Sequence, residues 1–230
     1  MNILITRPLI DAEDLMGKLF SLGHKIIHIP TLKICPVEIE PIDAKKYNAF
    51  IFTSTNAIRN LKVVKQDKSK LCFCVGAITE KIARMSGYNN TISAGGTVNA
   101  LKNLIISSNQ INEKSNIAYF CGDNVSYELD LDLKKEGLKI AKIINYKSEK
   151  ITDLNDQNKK IIVNHSPDII LVYSLRSGES FIEITRNHSL YPLMTESKVM
   201  CISDKVAKIF KSDGWKKVEV FNPGEELLKI

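Results

Sequence analysis

Apolar and polar positions follow a repeating pattern along the chain. Short apolar runs alternate with amphipathic stretches of ten to fifteen residues. The apolar runs predict buried strands and the longer stretches predict helices, an alternation typical of βα units around a parallel sheet. The predicted strands are 2–6, 24–29, 49–53, 71–75, 116–121, 138–145, 168–173, 198–202 and 217–221. The predicted helices begin after Pro8 and near Ser54, Ala77, Thr97, Asn124, Asp153, Ser174 and Asp204.

Two types of sequence block recur. The blocks lie in the order X1 (3–29), Y1 (50–88), X2 (117–143) and Y2 (170–215). The two X blocks align at an offset of 114, and the second halves of the two Y blocks align at an offset of 127. The matching pairs include Ile3 with Ile117, Leu15 with Leu129, Leu19 with Leu133, Gly23 with Gly137, Cys74 with Cys201, Lys81 with Lys208 and Gly87 with Gly214. Four blocks in this order predict a duplicated α/β domain.

The repeat by itself leaves the pairing of the blocks open. X1 shares a sheet either with Y1 or with Y2, and both arrangements are sterically possible. The segments after the X blocks, 31–41 and 146–153, look like matched connectors. Such connectors favour a chain that crosses between two domains twice.

Length and composition are those of an ordinary globular protein. The chain has 230 residues, of which 44% are hydrophobic and 25% are charged, so we expect two domains of moderate size. It begins with MNILITRPL, and no window approaches the 18 consecutive apolar residues of a membrane helix. Five cysteines without a CxxC motif lie in apolar runs, which predicts reduced, buried thiols. We therefore expect a cytoplasmic protein without a membrane segment.

The charge balance favours an acidic partner. The formal net charge is +6 and the sequence pI is about 8.9, which suits an anionic small molecule or a nucleic acid. The lysine pairs are scattered, however, and no aromatic residues are interleaved with them as on a single-strand binding platform. We expect no nucleic-acid partner, and affinity for nucleic acid that falls steeply with salt would contradict this expectation.

Small polar residues follow the predicted strands. In open α/β sheets ligands bind beyond the carboxyl ends of strands, where helix N-termini present unpaired N–H groups. Serine, threonine, asparagine and glycine at these turns also serve as ordinary helix caps, so each one taken alone has a structural interpretation. Taken together at one sheet edge, they favour an anionic ligand. These turns are 54–56, 76–79, 122–124, 174–178 and 203–204.

Several common chemistries lack their residues in this sequence. A receiver-type phosphorylation pocket needs carboxylates at strand ends that here carry Arg7, Ser54 and Gly76. The chain also has no GxGxxG, no P-loop and no GxSxG motif. His24 and His28 alternate onto one strand face without an acidic or cysteine partner nearby, and Cys72 and Cys74 suit buried packing. We therefore expect no metal and no nucleotide cofactor.

The remaining motifs resemble those of one known family. They are ILITRP at 3–8, FTSTNAIR at 52–59, VGAIT at 75–79, CGD at 121–123, Tyr146 after a strand, VYSLRSGESF at 172–181 and the closing NPGEELLKI. In order and spacing they resemble the uroporphyrinogen-III synthase family. The resemblance implies an α/β fold of two similar domains, each a parallel sheet flanked by helices (flavodoxin-like), joined by a two-stranded connector. It pairs X1 with Y2, which gives a discontinuous domain of 1–35 plus 151–230 and an inserted domain of 36–150, with the site in the cleft.

The resemblance also implies a reaction. Family members cyclise the linear tetrapyrrole hydroxymethylbilane with loss of water and inversion of ring D, giving uroporphyrinogen III for haem biosynthesis, without a cofactor. The substrate carries many carboxylates, which agrees with the mildly basic chain. We expect a monomer whose partner is this small molecule. The alternative is a non-catalytic two-domain module that binds an anionic small molecule or a partner protein.

The family's site residues carry over to specific positions. Tyr146 matches a tyrosine that faces the cleft, where its phenol would donate a hydrogen bond to the leaving hydroxyl; an exposed connector tyrosine is the structural alternative. The predicted substrate-binding residues are Ser54, Asn56, Gly76, Thr79, Ser174, Ser177 and Arg7. Arg7 either pairs with a substrate carboxylate or caps the sheet edge.

One segment departs from the family pattern. Residues 203–206 read Ser-Asp-Lys-Val, so the second Y block lacks a counterpart of Thr79. Asp204 suits a helix N-cap but would repel a substrate carboxylate, and Lys205 would offset that charge. This departure keeps the non-catalytic alternative open.

Overall fold

The computed structural model describes residues 1–64, 67–222 and 224–230. Pro223 of the closing motif lies outside the described residues. The strands are β1 Asn2–Ile5, β2 Lys25–His28, β3 Leu32–Pro36, β4 Ile42–Asp43, β5 Ala49–Phe52, β6 Val63–Val64, β7 Leu71–Cys74, β8 Thr91–Ser93, β9 Asn116–Gly122, β10 Lys139–Lys150, β11 Ile169–Val172, β12 Lys198–Cys201 and β13 Lys217–Val220. The α-helices are α1 Leu9–Ser21, α2 Thr55–Arg59, α3 Ala77–Met85, α4 Val98–Ile106, α5 Leu129–Lys135, α6 Asp156–Asn164, α7 Leu175–Asn187, α8 Asp204–Ser212 and α9 Glu226–Lys229. Short 3₁₀ helices cover Ala44–Lys46 and Tyr191–Leu193.

The described chain divides into two compact units. Unit 1 comprises Met1–Lys33 and Glu149–Ile230, and unit 2 comprises Ile34–Ser148. The chain passes between the units within β3 and again within β10, and these two strands are neighbours in one sheet. The domain boundaries implied by the resemblance, at 35/36 and 150/151, lie two residues further along the chain and stay a prediction.

Unit 1 contains a five-stranded sheet in the order β13-β12-β11-β1-β2. Every neighbouring pair is parallel, with Ile3 opposite both Ile26 and Ile169. Numbered along the chain within the unit, this order is 2-1-3-4-5, the flavodoxin-like arrangement. Strands of X1 and Y2 thus lie side by side in this sheet.

Unit 2 contains a six-stranded sheet in the order β3-β10-β9-β5-β7-β8, and a parallel pair formed by β4 and β6. The strands from β10 to β8 are parallel. They correspond, strand for strand, to β2, β1, β11, β12 and β13 of unit 1, because β9 and β10 belong to X2 while β5 and β7 belong to Y1. The predicted fold class, similar parallel sheets flanked by helices, is confirmed.

The central strands are buried on both faces. Ile3, Leu4 and Ile5 are fully buried and alternate between two separate hydrophobic clusters, one on each face of the unit 1 sheet. In unit 2 the rings of Phe52 and Phe120 stack with centroids 5.7 Å apart on one face. Because helices cover both faces, these strands have continuous apolar runs instead of alternating apolar and polar residues.

The observed elements differ from the predicted ones at a few places. The helix predicted near Asn124 begins at Leu129, since Asp123 is held by hydrogen bonds to β10. The helix predicted near Asp153 begins at Asp156, where Asn155 is the cap and accepts from the N–H of Asn158. β8, a three-residue edge strand, was not predicted because so short a segment shows no periodicity.

Candidate functional site

The carboxyl end of β5 leads into a capped turn of unit 2. Ser54 has extended backbone angles and its Oγ accepts a hydrogen bond from the N–H of Asn56 at 3.1 Å, which makes it the N-cap of α2. An accepting hydroxyl retains its own proton for donation. The Asn56 side chain lies in the first turn of α2 and is largely buried. Both predicted residues therefore lie at one strand end.

The next strand, β7, ends at a close approach of two glycines. Gly76 is the N-cap residue of α3. A Cβ on Gly76 would lie 3.2 Å from the Cα of Gly96, whose N–H donates to the carbonyl of Val75 at 2.7 Å. Thr79 is buried in the first turn of α3. Because the first N–H groups of a helix have no intrahelical acceptor, this turn suits an anionic group.

Tyr146 lies within β10, opposite Gly122 at the end of the neighbouring strand β9, and its ring lies directly over Gly122. A Cβ on Gly122 would lie 2.8 Å from the ring atoms Cε2 and Cζ, so only glycine fits beneath the ring. The carbonyl of Tyr146 accepts from the N–H of Asp123 at 3.1 Å, and the Asp123 carboxylate accepts from the N–H of Ser148 at 3.2 Å. The backbone on both sides of Tyr146 is thereby held against the end of β9.

The titratable side chains near this sheet edge either stay neutral or have their charge balanced by a neighbouring side chain. Burial raises the pKa of Tyr119, whose hydroxyl lies 3.2 Å from Oγ1 of Thr53. Hydrogen bonds from Arg84 and Thr91 hold the pKa of Glu80, in α3, below its usual range. The phenol of Tyr119 therefore stays protonated at neutral pH, and the charge of Glu80 is balanced by Arg84.

In the equivalent turn of unit 1, the serine hydroxyls are hydrogen-bonded to other groups of the same unit. Oγ of Ser174 accepts from the N–H of Ser177 at 3.1 Å and caps α7. The hydroxyl of Ser177 is buried, 2.6 Å from Oγ1 of Thr31 and 2.9 Å from Oγ1 of Thr6. A contact of Ser177 with substrate stays a prediction, and it would require these hydrogen bonds to break. Ser174 itself is half-buried.

Arg7 follows β1, next to the end of β11. Its guanidinium carbon lies 4.5 Å from the ring centroid of Tyr173, a cation–π contact. Burial raises the pKa of Tyr173, and the negative charge of Glu226 acts in the same direction. The ring thus supports Arg7 from one side. Whether Arg7 pairs with a substrate carboxylate stays a prediction.

The departing segment of the second Y block forms the start of α8. Ser203 is the N-cap residue, so the suggestion that Asp204 fills this position is wrong, and Asp204 is instead the first helical residue. Ser203 makes no side-chain capping hydrogen bond, and Asp204 and Lys205 are exposed. Val206, which aligns with Thr79, is buried in the hydrophobic cluster of unit 1. Each helix has one acidic residue in its first turn, Asp204 in α8 and Glu80 in α3, but the start of α8 is less polar in its interior because Val206 replaces the threonine.

The predicted site residues divide between the units. Unit 2 holds Ser54, Asn56, Gly76, Thr79 and Tyr146, and unit 1 holds Arg7, Ser174 and Ser177. Two positions were missed. Gly122 lies within the CGD motif, and Asn145 is a polar residue in an apolar strand, a pattern that indicates a specific hydrogen-bond partner.

The described residues offer no metal site. Across 1–64, 67–222 and 224–230, no three His, Cys, Asp or Glu side chains gather closely enough to hold a metal ion. Cys72, Cys74, Cys121 and Cys201 are buried, and burial raises the pKa of the Cys121 thiol to about 11. No helix in this part of the chain is long and apolar enough to cross a membrane.

Comparisons with known proteins place the chain in a family. No curated protein matches it significantly. The structure of uroporphyrinogen-III synthetase from Helicobacter pylori is similar, with 15% sequence identity and a TM-score of 0.65, and the match covers 98% of this chain and 94% of that chain. The structure of a mutant uroporphyrinogen III synthase from Thermus thermophilus is also similar, with 14% sequence identity and a TM-score of 0.55, and the match covers 99% of this chain and 94% of that chain. At these identities the solved structures support the fold. A family model described as uroporphyrinogen-III synthase HemD matches residues 13–224. The chain therefore belongs to the uroporphyrinogen-III synthase family.

Proposed function

We propose that this chain cyclises hydroxymethylbilane, with inversion of ring D and loss of water, to uroporphyrinogen III in haem biosynthesis. The observation that carries the proposal is the family match over residues 13–224. The reaction needs no redox step, because the substrate loses a hydroxyl group from one end and a proton from the carbon that closes the ring. These two losses together make one water molecule.

Apart from Arg7, the groups that would bind the substrate's carboxylates are neutral donors. Ser54 and Ser174 each accept a backbone N–H in their capping bonds, so each retains an O–H to donate to an acetate or propionate group. The first turn of α3 adds unpaired N–H groups from Gly76 to Thr79. Asn56 would contribute its side-chain amide and Arg7 its charge. Neutral donors of this kind bind carboxylates without requiring a buried ion pair.

Tyr146 is the residue proposed to act at the reacting carbon. Its phenol would donate a hydrogen bond to the departing hydroxyl, which assists cleavage of the carbon–oxygen bond. The pyrrole is electron-rich and stabilises the cation that remains. The larger task is therefore to hold the linear chain folded, so that closure occurs with inversion of ring D and not directly.

We also propose that the protein acts as a cytoplasmic monomer with no cofactor and no nucleic-acid partner. The presence of five thiols with no disulfide among them favours a reducing compartment. Light scattering after size-exclusion chromatography measures the oligomeric state. Binding to a DNA oligonucleotide at low and high salt tests the nucleic-acid part, because electrostatic binding would weaken steeply as salt increases.

The decisive experiment is an isomer assay. Purified full chain is incubated with freshly generated hydroxymethylbilane, the products are oxidised, and type I and type III porphyrins are separated by chromatography. Spontaneous closure gives type I, so we expect type III in proportion to protein concentration. Heat-denatured protein is the control. Type I alone, from protein shown to be folded by circular dichroism, would overturn the proposal.

A further inference from the structure

The strand that carries Tyr146 has an irregularity just before it. β10 pairs with β9 in regular parallel register up to Ile144 opposite Cys121, and then Tyr146 lies opposite Gly122. Asn145 is therefore an extra residue, a β-bulge. In a regular strand residues three apart point to opposite faces, yet Ile143 and Tyr146 both pack against the same cluster around Phe50 and Phe52. The bulge turns the Tyr146 ring onto that face.

The side chain of Asn145 connects this bulge to α2. Its Nδ2 donates to the carbonyl of Ala57 at 2.7 Å, across 88 residues of sequence, and the Asn145 side chain is fully buried. The carbonyl of Ala57 is among the last four of α2, which have no intrahelical donor, whereas the carbonyls of Asn56 and Ile58 accept from the N–H groups that follow the helix. The same helix is capped by Ser54 and contains Asn56. One buried amide thus links the strand of Tyr146 to the turn that presents two predicted binding residues.

Asn145 is not fully satisfied by this arrangement. No described residue donates a hydrogen bond to its buried Oδ1. A buried polar atom without a partner opposes folding, and a leucine of similar volume would avoid this loss but would leave the Ala57 carbonyl without its donor. Asn145 therefore makes one buried hydrogen bond and leaves one buried oxygen unsatisfied, so its two effects on the stability of the fold oppose each other.

The other unit contains the same connection in a different form. By the X-block offset of 114, Asn145 corresponds to Thr31, and by the offset of 120 between Ser54 and Ser174, Ala57 corresponds to Ser177. Oγ1 of Thr31 and Oγ of Ser177 are also hydrogen-bonded, 2.6 Å apart, and Oγ of Ser177 lies within hydrogen-bond distance of Oγ1 of Thr6 as well. In both units, the residue at this aligned position is thus hydrogen-bonded to the first turn of the equivalent helix, α2 or α7. Among the described residues, those of unit 2 alone combine this hydrogen bond with a bulge and a tyrosine.

We propose that Asn145 is a positioning residue for the reaction. Its buried amide fixes the bulge that directs the Tyr146 ring, and it links this bulge to the turn of Ser54 and Asn56. This inference rests on the proposed function of Tyr146. Asn145 does not touch the reacting atoms in this scheme. Its effect reaches the substrate through the orientation of the Tyr146 phenol.

A double-mutant cycle tests the inference. In the wild-type background Asn145→Leu should lower kcat for type III formation about tenfold and change KM less than about twofold, because orientation is lost while the binding groups remain. In the Tyr146→Phe background the same substitution should lower kcat less than about twofold, since no phenol is left to orient. Equal losses in both backgrounds would overturn the inference, as would full kcat in a folded Asn145→Leu variant.

A matched control separates positioning from stability. Asn48, at the amino end of the same sheet, accepts a hydrogen bond from the N–H of Asn116 at 2.8 Å. Asn48→Leu also removes an asparagine side chain that bonds to backbone in unit 2, so we expect a lower melting temperature with unchanged kcat. A loss of kcat in this control as large as that of Asn145→Leu, at equal stability, would assign the effect to general loosening and overturn the inference.

A second variant keeps the test usable if Asn145→Leu fails to fold. Asn145→Asp preserves shape, and its carboxyl donates to Ala57 only when protonated. Its kcat relative to wild type should therefore rise as the pH is lowered, and a flat ratio in folded protein would overturn the inference.

A readout without substrate distinguishes this inference from the proposed function. With ¹³C-labelled tyrosine, the Tyr146 resonance is assigned from its absence in Tyr146→Phe. Asn145→Leu should shift or broaden that resonance while the resonance of Tyr191, in unit 1, stays unchanged. An unmoved Tyr146 resonance overturns the positioning role even if the wild-type enzyme is active. A moved resonance in a protein that makes only type I contradicts the proposed function alone.

Discussion

The two units share a strand order but use their strand ends differently. In unit 2 the turn after β5 is followed by the short helix α2, and the start of α3 buries Thr79. In unit 1 the corresponding α7 is thirteen residues long and places Ser177 in a buried chain of hydroxyls, and α8 buries Val206. The same type of residue at equivalent turns therefore has different partners. Serine or threonine after a strand indicates a polar turn, and packing decides whether the hydroxyl supports the sheet or remains available to a ligand.

This comparison predicts that unit 2 carries the chemistry and that unit 1 contributes binding and support. Changes near Tyr146 should lower activity without unfolding the protein. Changes at the equivalent helix of unit 1 should lower stability first. The following variants test this difference, from the largest expected effect to the smallest.

Gly122→Ala should have the largest effect on activity. The new Cβ would lie 2.8 Å from the Tyr146 ring, so the ring must move away from its position. We expect kcat to fall at least about 100-fold, because the phenol leaves its position, as in Tyr146→Phe, and the ring is displaced as well. Gly17→Ala is the control, because a Cβ there meets nothing within 4 Å. Retained kcat in Gly122→Ala would contradict the proposed importance of this ring position.

Tyr146→Phe removes the phenol and keeps the ring over Gly122. We expect kcat to fall about 100-fold, with the melting temperature nearly unchanged. Tyr191→Phe is the matched control in unit 1, where the hydroxyl donates to the carbonyl of Gly214. Steady-state kinetics of type III formation measures both variants. Unchanged kinetics of Tyr146→Phe would remove Tyr146 from the mechanism.

Gly178→Ala should damage unit 1 through packing. A Cβ on Gly178 would lie 2.9 Å from side-chain atoms of both Ile209 and Phe210 in α8. Overpacking of this kind costs about 2 kcal/mol of unfolding free energy. Trp215, the single tryptophan of the chain, is buried in unit 1, so its fluorescence during urea unfolding reports this change. Activity per folded molecule should stay at the wild-type value, and a kcat loss in the folded fraction would contradict the division of roles.

Thr79→Val and Val206→Thr compare the two Y blocks directly. Thr79→Val makes α3 resemble α8 at this position, and we expect KM to rise about fivefold with kcat unchanged, as for the loss of one hydrogen bond of about 1 kcal/mol. Val206→Thr should leave KM unchanged, because Val206 is buried within the apolar cluster of unit 1. Substrate saturation curves for both variants measure these KM and kcat values. A rise in KM for Val206→Thr would show that α8 binds substrate.

Glu80→Gln should have the smallest effect and should make unit 2 less sensitive to acid. The pKa of Glu80 is lowered from 4.5, so its contribution to stability is fully present above pH 4.5 and is lost as the pH falls through the lower folded value. We expect a loss of about 1 kcal/mol at pH 7 and a smaller loss at pH 3, measured by urea unfolding followed by circular dichroism. α8 has Ala207 and Lys211 at the equivalent positions, so the tryptophan signal of unit 1 should not change. An equal loss at both pH values would contradict the linkage.

Much of the fold was predictable from local patterns. The NILIT run and the glycine at position 23 predicted the first strand and the end of the following helix, because burial and chain reversal impose residue types on nearby positions. Ser54 and Ser174 were recognisable as turn residues for the same reason. The edge strand β8 was too short for its periodicity to be recognised. Helix α5 begins late because Asp123 is bonded to β10, a partner that sequence spacing does not reveal.

The sequence by itself determined the alternation of strands and helices, the duplication and the polar residues at the strand ends, since each of these depends on neighbours within a few positions. Tertiary structure decided which blocks share a sheet and where the polar side chains find their partners. Ser177 bonds to Thr6 across 171 residues, and Asn145 bonds to Ala57 across 88. The bulge that turns Tyr146 over Gly122 exists only because β10 lies beside β9. Such contacts depend on the order of strands in the sheet, and no local periodicity encodes that order.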